Sequence, residues 1–191
     1  MSVRAIVFGK LPSHGDFIAR GLAPDERDAW DAWLSGEVAR ARDNLQEGFA
    51  AAHDAAPTWR FVCGPGAFGP CWRAGALAAS IDSAGRRFVI VCAAEDLTSE
   101  QAAHIGEPLT EAMEAILYAA FEQGLDADRV ASACQAAISA VDNASRDQAI
   151  APDPSERWWT AGGATLEPAC FDHAPTKLFP GAAPSARAAA L

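Results

Sequence analysis

The sequence lacks a long apolar run. Its longest strongly apolar stretch, residues 88–94, is far shorter than the roughly 20 residues that a helix needs to cross a bilayer. The apolar stretch near the N-terminus covers residues 5–8, which is too short for the core of a secretory signal peptide. We therefore expect a cytoplasmic protein that does not insert directly into a membrane.

Paired cysteines are also lacking. The five cysteines are odd in number, widely spaced and contain no CxxC pair. Several lie in apolar surroundings, so reduced and buried thiols are expected, as in cytosolic proteins. The one close pair of metal-ligand types, Cys170 and His173, is half of a zinc site with no obvious second half. The sequence predicts neither a metal nor another cofactor.

Positive charge is scarce. Fifteen Lys and Arg against 25 Asp and Glu leave a net charge of −10, which argues against nucleic acid and anionic lipid as partners. The charge is unevenly distributed. Residues 1–95 hold 10 basic and 11 acidic side chains, whereas residues 96–191 hold 5 and 14. The acidic surface is therefore expected on one flank of the protein.

The 191 residues, half of them hydrophobic, suffice for one domain with a core of its own. Apolar patterns predict strands at 5–8, 58–63, 71–81 and 87–93, and a last strand around residues 157–160. Helical spacing predicts helices at 24–49 and 126–141, and a short helix followed by a long one from about 108 to 124.

These elements predict a single layered α/β domain over residues 1–179, with a mixed, largely antiparallel sheet and helices on both faces. A two-layer α+β arrangement is the alternative. The neighbouring Trp158 and Trp159 favour helices on both faces, because adjacent strand residues point to opposite sides. The Pro/Ala-rich residues 180–191 are expected to be a disordered tail.

Two patterns resemble catalytic or ligand-binding motifs. Residues 64–69 match GxGxxG, but the prolines and the lack of a following helix favour a hairpin loop over a nucleotide site. Ser13, His14 and Asp16 place three hydrolase residue types in one loop, although triad members normally converge from distant segments. A small-ligand or nucleotide-binding regulator and, less favoured, a hydrolase remain as alternative functions.

Acidic side chains follow one face of the long helix, opposite its apolar side. They are Glu107, Glu111, Glu114 and Glu122. Like charges at this spacing do not stabilise an isolated helix. The face is either a solvated surface or a docking face for a basic partner.

Five segments in order resemble the TagF/ImpM family, the accessory proteins of bacterial type VI secretion. They are GKLPSHGDF at 9–17, WDxWL at 30–34, APxWRF at 56–61, SIDSAGRxF at 80–88, and the tryptophan pair at 158–159. The chain departs from the family pattern at Ala79, where proline is usual, and at His14, where arginine is common.

The resemblance implies a layered α/β domain and a cytoplasmic, non-enzymatic regulator. Such a protein restrains assembly or firing of the secretion machine after translation. It does so by binding other components, above all the forkhead-associated scaffold protein Fha. The sequence leaves the oligomeric state open.

Opposite charges in the loops at 9–16 and 80–87 indicate that the two loops pair at one edge of the sheet. The candidate partner-binding residues are Lys10, Ser13, Asp16, Ser80, Asp82 and Arg86. If this edge binds the partner, we expect Asp16→Ala and Asp82→Ala to abolish scaffold binding with little change in melting temperature. A large loss of stability would indicate a structural role instead.

Overall fold

A seven-stranded sheet forms the centre of the computed structural model, which describes residues 2–66, 69–145 and 154–166. The strand order is β2-β1-β5-β4-β3-β6-β7, and every neighbouring pair is antiparallel. The strands are β1 (Arg4–Gly9), β2 (Ile18–Arg20), β3 (Trp59–Cys63), β4 (Trp72–Ile81), β5 (Arg87–Leu97), β6 (Arg157–Trp159) and β7 (Thr165–Leu166).

Four α-helices cover the two faces of the sheet. They are α1 (Pro24–Leu45), α2 (Phe49–Asp54), α3 (Ser99–Gln123) and α4 (Ala127–Ser145). A short 3-10 turn, Gln46–Gly48, separates α1 from α2. None of the helices within the described residues has the length and apolar character needed to cross a membrane.

Alternation along the central strands builds a separate core on each face. In β5, Ile90 and Cys92 pack toward α3 and α4, whereas Val89 and Val91 pack toward α1 and α2. Both sides of the strand are buried, which explains why residues 88–94 read as a continuous apolar run. The layered α/β fold with helices on both faces is therefore confirmed, and each pairing in the described sheet is antiparallel.

The tryptophan pair in β6 behaves as its spacing predicts. Trp158 is 1% exposed and belongs to the core under α1, where it stacks on Phe61 at 4.7 Å between ring centroids. Trp159 packs against the opposite core under α3 and α4. The two indoles thus confirm the three-layer arrangement.

The helix boundaries differ from the sequence prediction at two places. Pro108 does not begin a new helix but lies inside α3, which runs unbroken from Thr98, its capping residue. Burial of Leu109 and Met113 against the sheet outweighs the hydrogen bond that Pro108 cannot donate. The helix predicted to end at residue 49 is interrupted at Gln46, whose φ is +47°. Strand β2, with three residues, gave no sequence signal.

Parts of the predicted domain organisation fall beyond the described residues. The boundary at residue 179 and the tail at 180–191 lie outside them, as do Cys170 and His173. Those predictions stay predictions.

Candidate functional site

The loop that follows β1 packs against the turn between β4 and β5. The loop begins at Gly9, where φ is +129° and a Cβ atom would overlap the carbonyl oxygen of Val89. The Lys10 amide donates to the same Val89 oxygen at 3.0 Å, and the Ser83 amide donates to the His14 carbonyl at 2.9 Å. Backbone hydrogen bonds therefore fix the two loops to one another before any side chain contributes.

A buried ion pair joins the same two loops. The Lys10 ammonium lies 2.8 Å from Oδ2 of Asp82, and the side chain of Asp82 has no solvent exposure. Oδ1 of Asp82 accepts the Ala84 and Arg86 amides at 3.0 and 2.9 Å, and Arg86 Nε donates to Oδ2 at 2.6 Å. The hydrogen bond from Lys10, supported by those from Arg86, holds the pKa of the Asp82 carboxyl well below its usual range.

Several side chains of the two loops are exposed to solvent. Arg86 is 57% exposed along its side chain, donates to the Gly15 carbonyl and lies 3.8 Å from the fully solvated carboxylate of Asp16. Phe17 is 49% exposed, although one edge of its ring contacts Phe88 at 4.7 Å between centroids. The Lys10 ammonium lies 4.9 Å from the Phe17 ring centroid. An aromatic side chain is thus held at the surface by a buried framework.

A cavity of about 410 Å³ opens beside Phe17, against α1. Among the residues that the structure describes, four cationic side chains line it and no carboxylate does; we call it the cationic cavity. Its lining consists of Lys10, Phe17, Ser35, Val38, Ala39, Arg42, Arg86, Arg87 and Phe88. Arg87 is held by a bidentate ion pair with Asp54, at 2.9 and 2.6 Å. Arg42 donates to the Arg87 carbonyl at 3.3 Å, which leaves its charge available to an anionic group.

All six residues predicted for the partner surface lie in or beside these two loops, but they have different roles. Lys10, Ser80 and Asp82 are buried, and the Ser80 hydroxyl donates to the Lys10 carbonyl at 2.7 Å. The exposed Ser13 donates to the Leu125 carbonyl at 2.8 Å, which ties the loop to the turn after α3. Only Arg86 and Asp16 present charge to a partner.

Comparison with known proteins identifies the architecture. A sequence model of the TagF N-terminal domain, type VI secretion system-associated, matches residues 7–138, which is more than half of the chain. The chain belongs to the TagF N-terminal domain family. No curated protein matches it significantly. The crystal structure of PA0076 from Pseudomonas aeruginosa PAO1 is similar in fold and sequence. Its TM-score is 0.59 at 25% identity, over 82% of this chain and 70% of that one.

The family match covers the two loops and the cationic cavity. No local sequence pattern indicates the cavity, because Arg42 comes from α1 and Arg87 from β5. Phe17 lies in the TagF-like segment at 9–17, but the charge pattern of that segment does not indicate its role. Its position directly after the polar residues Ser13, His14 and Asp16 is the available sequence signal, since aromatic side chains are enriched at interaction surfaces.

The serine–histidine pair of the TagF loop does not form a triad. Ser13 Oγ lies 3.0 Å from His14 Nδ1, but the serine proton is directed to the Leu125 carbonyl. Among the described residues no hydrogen bond joins His14 to Asp16, whose nearest charged partner is Arg86. A histidine that serves as a general base is normally oriented by a third group. The geometry therefore does not favour the hydrolase alternative.

The GxGxxG segment is a hairpin loop between two antiparallel strands, β3 and β4. Gly66 and Gly69 exchange two backbone hydrogen bonds of 3.0 Å, and β4 begins three residues later. A dinucleotide site needs a helix N-terminus at the end of such a loop. This geometry does not favour the nucleotide-binding alternative.

The acidic face of α3 differs from its prediction. Glu114 is buried, not solvated, and its Oε2 lies 2.6 Å from the Arg60 guanidinium. Glu111 also pairs with Arg60, at 3.0 Å, and Glu107 pairs with Arg157 at 2.7 Å. These arginines come from β3 and β6, on which α3 lies, so most of the acidic face is neutralised within the chain. Of the four glutamates only Glu122 is both exposed and unpaired among the described residues.

Replacing a glutamate of α3 with lysine is expected to lower the melting temperature much more at the buried Glu114 than at the exposed Glu111. Glu114→Lys places a second cation against Arg60, so we expect a fall in melting temperature of roughly 10 °C. Glu111→Lys, at an exposed position, is expected to lower it by no more than about 3 °C. Thermal unfolding followed by circular dichroism measures both. Equal shifts for the two variants would contradict the burial of Glu114.

A second buried charge cluster was not predicted. Glu95 is 2% exposed, lies 3.4 Å from Nε of Arg73 and 3.1 Å from the Arg4 guanidinium, and accepts a hydrogen bond from the Trp30 indole at 3.4 Å. Burial raises the pKa of the Glu95 carboxyl, and the two arginines oppose that rise. The cluster lies at the far end of β5 from the two loops and has a structural role.

Proposed function

We propose that this TagF-family chain restrains type VI secretion after translation by binding cytoplasmic components of the machine, with the forkhead-associated scaffold protein Fha as its main partner. The family match supports a type VI accessory role. The identity of the partner and the repressive effect are what the proposal adds. It also holds that the chain acts without catalysis, and the arrangement of Ser13 and His14 supports this part.

One observation carries the proposal: the cationic cavity and the exposed ring of Phe17 lie side by side on loops that a buried ion pair holds in place. Exposed aromatic anchors and arginines are the residue types that dominate interface energetics. A site that is already ordered loses little entropy on binding. The surface therefore suits a macromolecular partner.

The charge of the cavity specifies the partner segment. Three of its four cations are already paired, Lys10 and Arg86 with Asp82 and Arg87 with Asp54, so the charge that an anionic group can reach is that of Arg42 and of the exposed Arg86. An acidic segment of the scaffold is expected to place a carboxylate near Arg42 and Arg86, with an apolar side chain against Phe17. Charge complementarity of this kind makes the association rate fall as salt rises.

The proposal is tested by tagging the chain in its native cell and identifying the proteins that copurify. We expect Fha to copurify with the unaltered chain and to be lost with the double variant Phe17→Ala/Arg42→Ala. Release of secreted type VI proteins into the medium should rise in cells carrying the variant, because the restraint is removed.

A matched control is Arg27→Ala, which removes an exposed arginine of α1 whose one ion pair within the described part of the chain is with its neighbour Asp28. This variant should retain Fha and keep secretion restrained. Recovery of Fha with the double variant, at the level seen for Arg27→Ala, would refute the proposed surface. Absence of Fha from the unaltered chain's complexes would refute the proposed partner.

A further inference from the structure

Strand β4 extends beyond its partner β3 and leaves part of its edge open. The pairing of β3 with β4 ends at Trp59 opposite Leu77, whereas β4 continues to Ile81. Residues 78–81 pair with β5 on one side. Among the described residues no backbone hydrogen bond occupies their other side. Pro57 has no amide hydrogen, so the chain before β3 cannot extend the ladder in the usual way.

The open edge lies in a groove of about 360 Å³, which we call the β-edge groove. It is lined by residues 78–81, of which Ala78 and Ser80 are buried, by Tyr118 and Phe121 of α3, by residues 56–58, and by Pro12, His53 and Asp54. Tyr118 and Ile81 are 47% and 39% exposed, which is unusual for large apolar side chains in this chain. The groove thus combines apolar side chains with a stretch of β4 edge that makes no backbone hydrogen bond to another strand among the described residues; the Ser80 hydroxyl donates to the Ile81 carbonyl at 3.4 Å.

A carboxylate that does not itself line the groove follows Phe121 in α3. Glu122 is exposed, lies one turn beyond Tyr118 and makes no ion pair within the described residues. The last turn of α3 contains no basic residue, so the partial negative charge of the helix C-terminus adds to that of Glu122. Farther along the groove, Asp54 is already neutralised by Arg87. A cationic side chain of a ligand is therefore favoured near the C-terminal turn of α3 and not near Asp54.

We propose that the β-edge groove binds an extended segment of a partner protein. The segment has apolar side chains at alternate positions and a lysine or arginine next to Glu122. Its backbone adds a strand beside residues 78–81, so that main-chain hydrogen bonds provide affinity and the side chains of the groove select alternate side chains of the segment. The groove is separate from the cationic cavity, which lies against α1.

Fluorescein-labelled peptides of eight residues test the groove by fluorescence anisotropy with the full chain. The probes alternate Val, Ile or Phe with Thr and end in Lys-Arg. We expect saturable binding by at least one probe. Amide hydrogen exchange at residues 78–81 should slow on its addition, because the open edge becomes paired. Absence of binding by every probe up to about 1 mM would overturn the proposal.

Backbone methylation of the binding probe tests whether it binds as a strand. The amides of an extended peptide alternate between its two edges. Two peptides are compared, one methylated on the odd-numbered amides and one on the even-numbered amides. Methylation of the amides that face β4 should abolish binding, and methylation of the others should leave it unchanged. Equal binding of both methylated peptides would overturn the proposal.

Two charge reversals on α3 test the position of the cation. Glu122→Lys is expected to lower the affinity for the peptide probe about tenfold and to reduce the salt dependence of binding. Glu100→Lys, at the other end of the same helix, should leave affinity unchanged. Equal effects of the two variants would overturn the assignment of the cation to Glu122. A dimer of the unliganded chain with residues 78–81 protected would show that a second copy occupies the groove and would also overturn the proposal.

Discussion

Replacing Asp82 with asparagine is expected to lower the melting temperature by roughly 10 °C and to abolish binding to the scaffold. Asparagine has nearly the same shape, and its oxygen can still accept the Ala84 and Arg86 amides. Its NH₂ group, however, faces the Lys10 ammonium, which is 8% exposed and loses its anionic partner. The loss of stability and the loss of binding have one cause, because the same ion pair holds Phe17 and Arg86 in position.

The matched control for Asp82 is Asp16→Asn. The Asp16 carboxylate is 99% exposed and lies 3.8 Å from Arg86, so its loss should leave the melting temperature unchanged. This differs from the expectation drawn from the sequence, in which both aspartates bind the partner and neither supports the fold. Because Asp82 is buried and paired with Lys10, it stabilises the two loops instead of contacting the partner. Equal melting temperatures for the two variants would contradict that role.

The depressed pKa of Asp82 also predicts how stability depends on pH. A carboxyl whose pKa is lower in the folded state stabilises the fold above its unfolded pKa of about 4, and this contribution is lost as the pH falls toward the folded value. Hydrogen bonds to Lys10 and Arg86 cause the depression. The melting temperature of the unaltered chain should therefore fall more steeply below about pH 4 than that of Asp82→Asn. Parallel curves would contradict the ion pair.

Glu95→Ala is expected to destabilise the fold by about 3–5 kcal/mol, which corresponds to a fall of roughly 10 °C in melting temperature. The substitution leaves Arg73, 2% exposed, without the carboxylate 3.4 Å away, and it opens a cavity beside Trp30. Arg4 retains Asp96 and Glu26, so the loss falls mainly on Arg73. Urea-induced unfolding followed by tryptophan fluorescence measures the free energy of unfolding.

Glu95→Ala should leave binding at the cationic cavity intact at temperatures where the variant is folded. Glu95 lies at the opposite end of β5 from Arg87, and the strand is eleven residues long. This variant therefore separates stability from partner binding. Loss of scaffold binding in a folded Glu95→Ala variant would contradict the separation, as would a free energy of unfolding equal to that of the unaltered chain.

The elements that could be predicted from sequence are those whose pattern is local. Apolar runs next to turn residues identified β4 and β5, and the adjacent Trp158 and Trp159 favoured helices on both faces. The opposite charges of Lys10 and Asp82 correctly indicated that their loops pair. For the strands and the tryptophan pair, neighbouring residues contained the signal, whereas the pairing of the loops was inferred from opposite charges that lie 72 positions apart.

The features that could not be predicted depend on contacts between distant segments. Glu114 follows the same spacing as its exposed neighbours, and only the placement of α3 over β3 brings Arg60 against it. Arg42 gains its role from the position of α1 beside β5. The charged Glu95 can be buried after the apolar run of β5 because Arg4 and Arg73, on the two neighbouring strands, lie against its carboxylate. Such pairings involve residues that are tens of positions apart, and no local period encodes them.

Isothermal titration of purified Fha scaffold with the purified chain tests most directly whether the cationic cavity and Phe17 bind the partner. The account predicts saturable binding that weakens as salt increases. It also predicts at least about tenfold weaker binding for Phe17→Ala/Arg42→Ala, with little change in melting temperature. Binding of this double variant with the affinity of the unaltered chain would contradict the account.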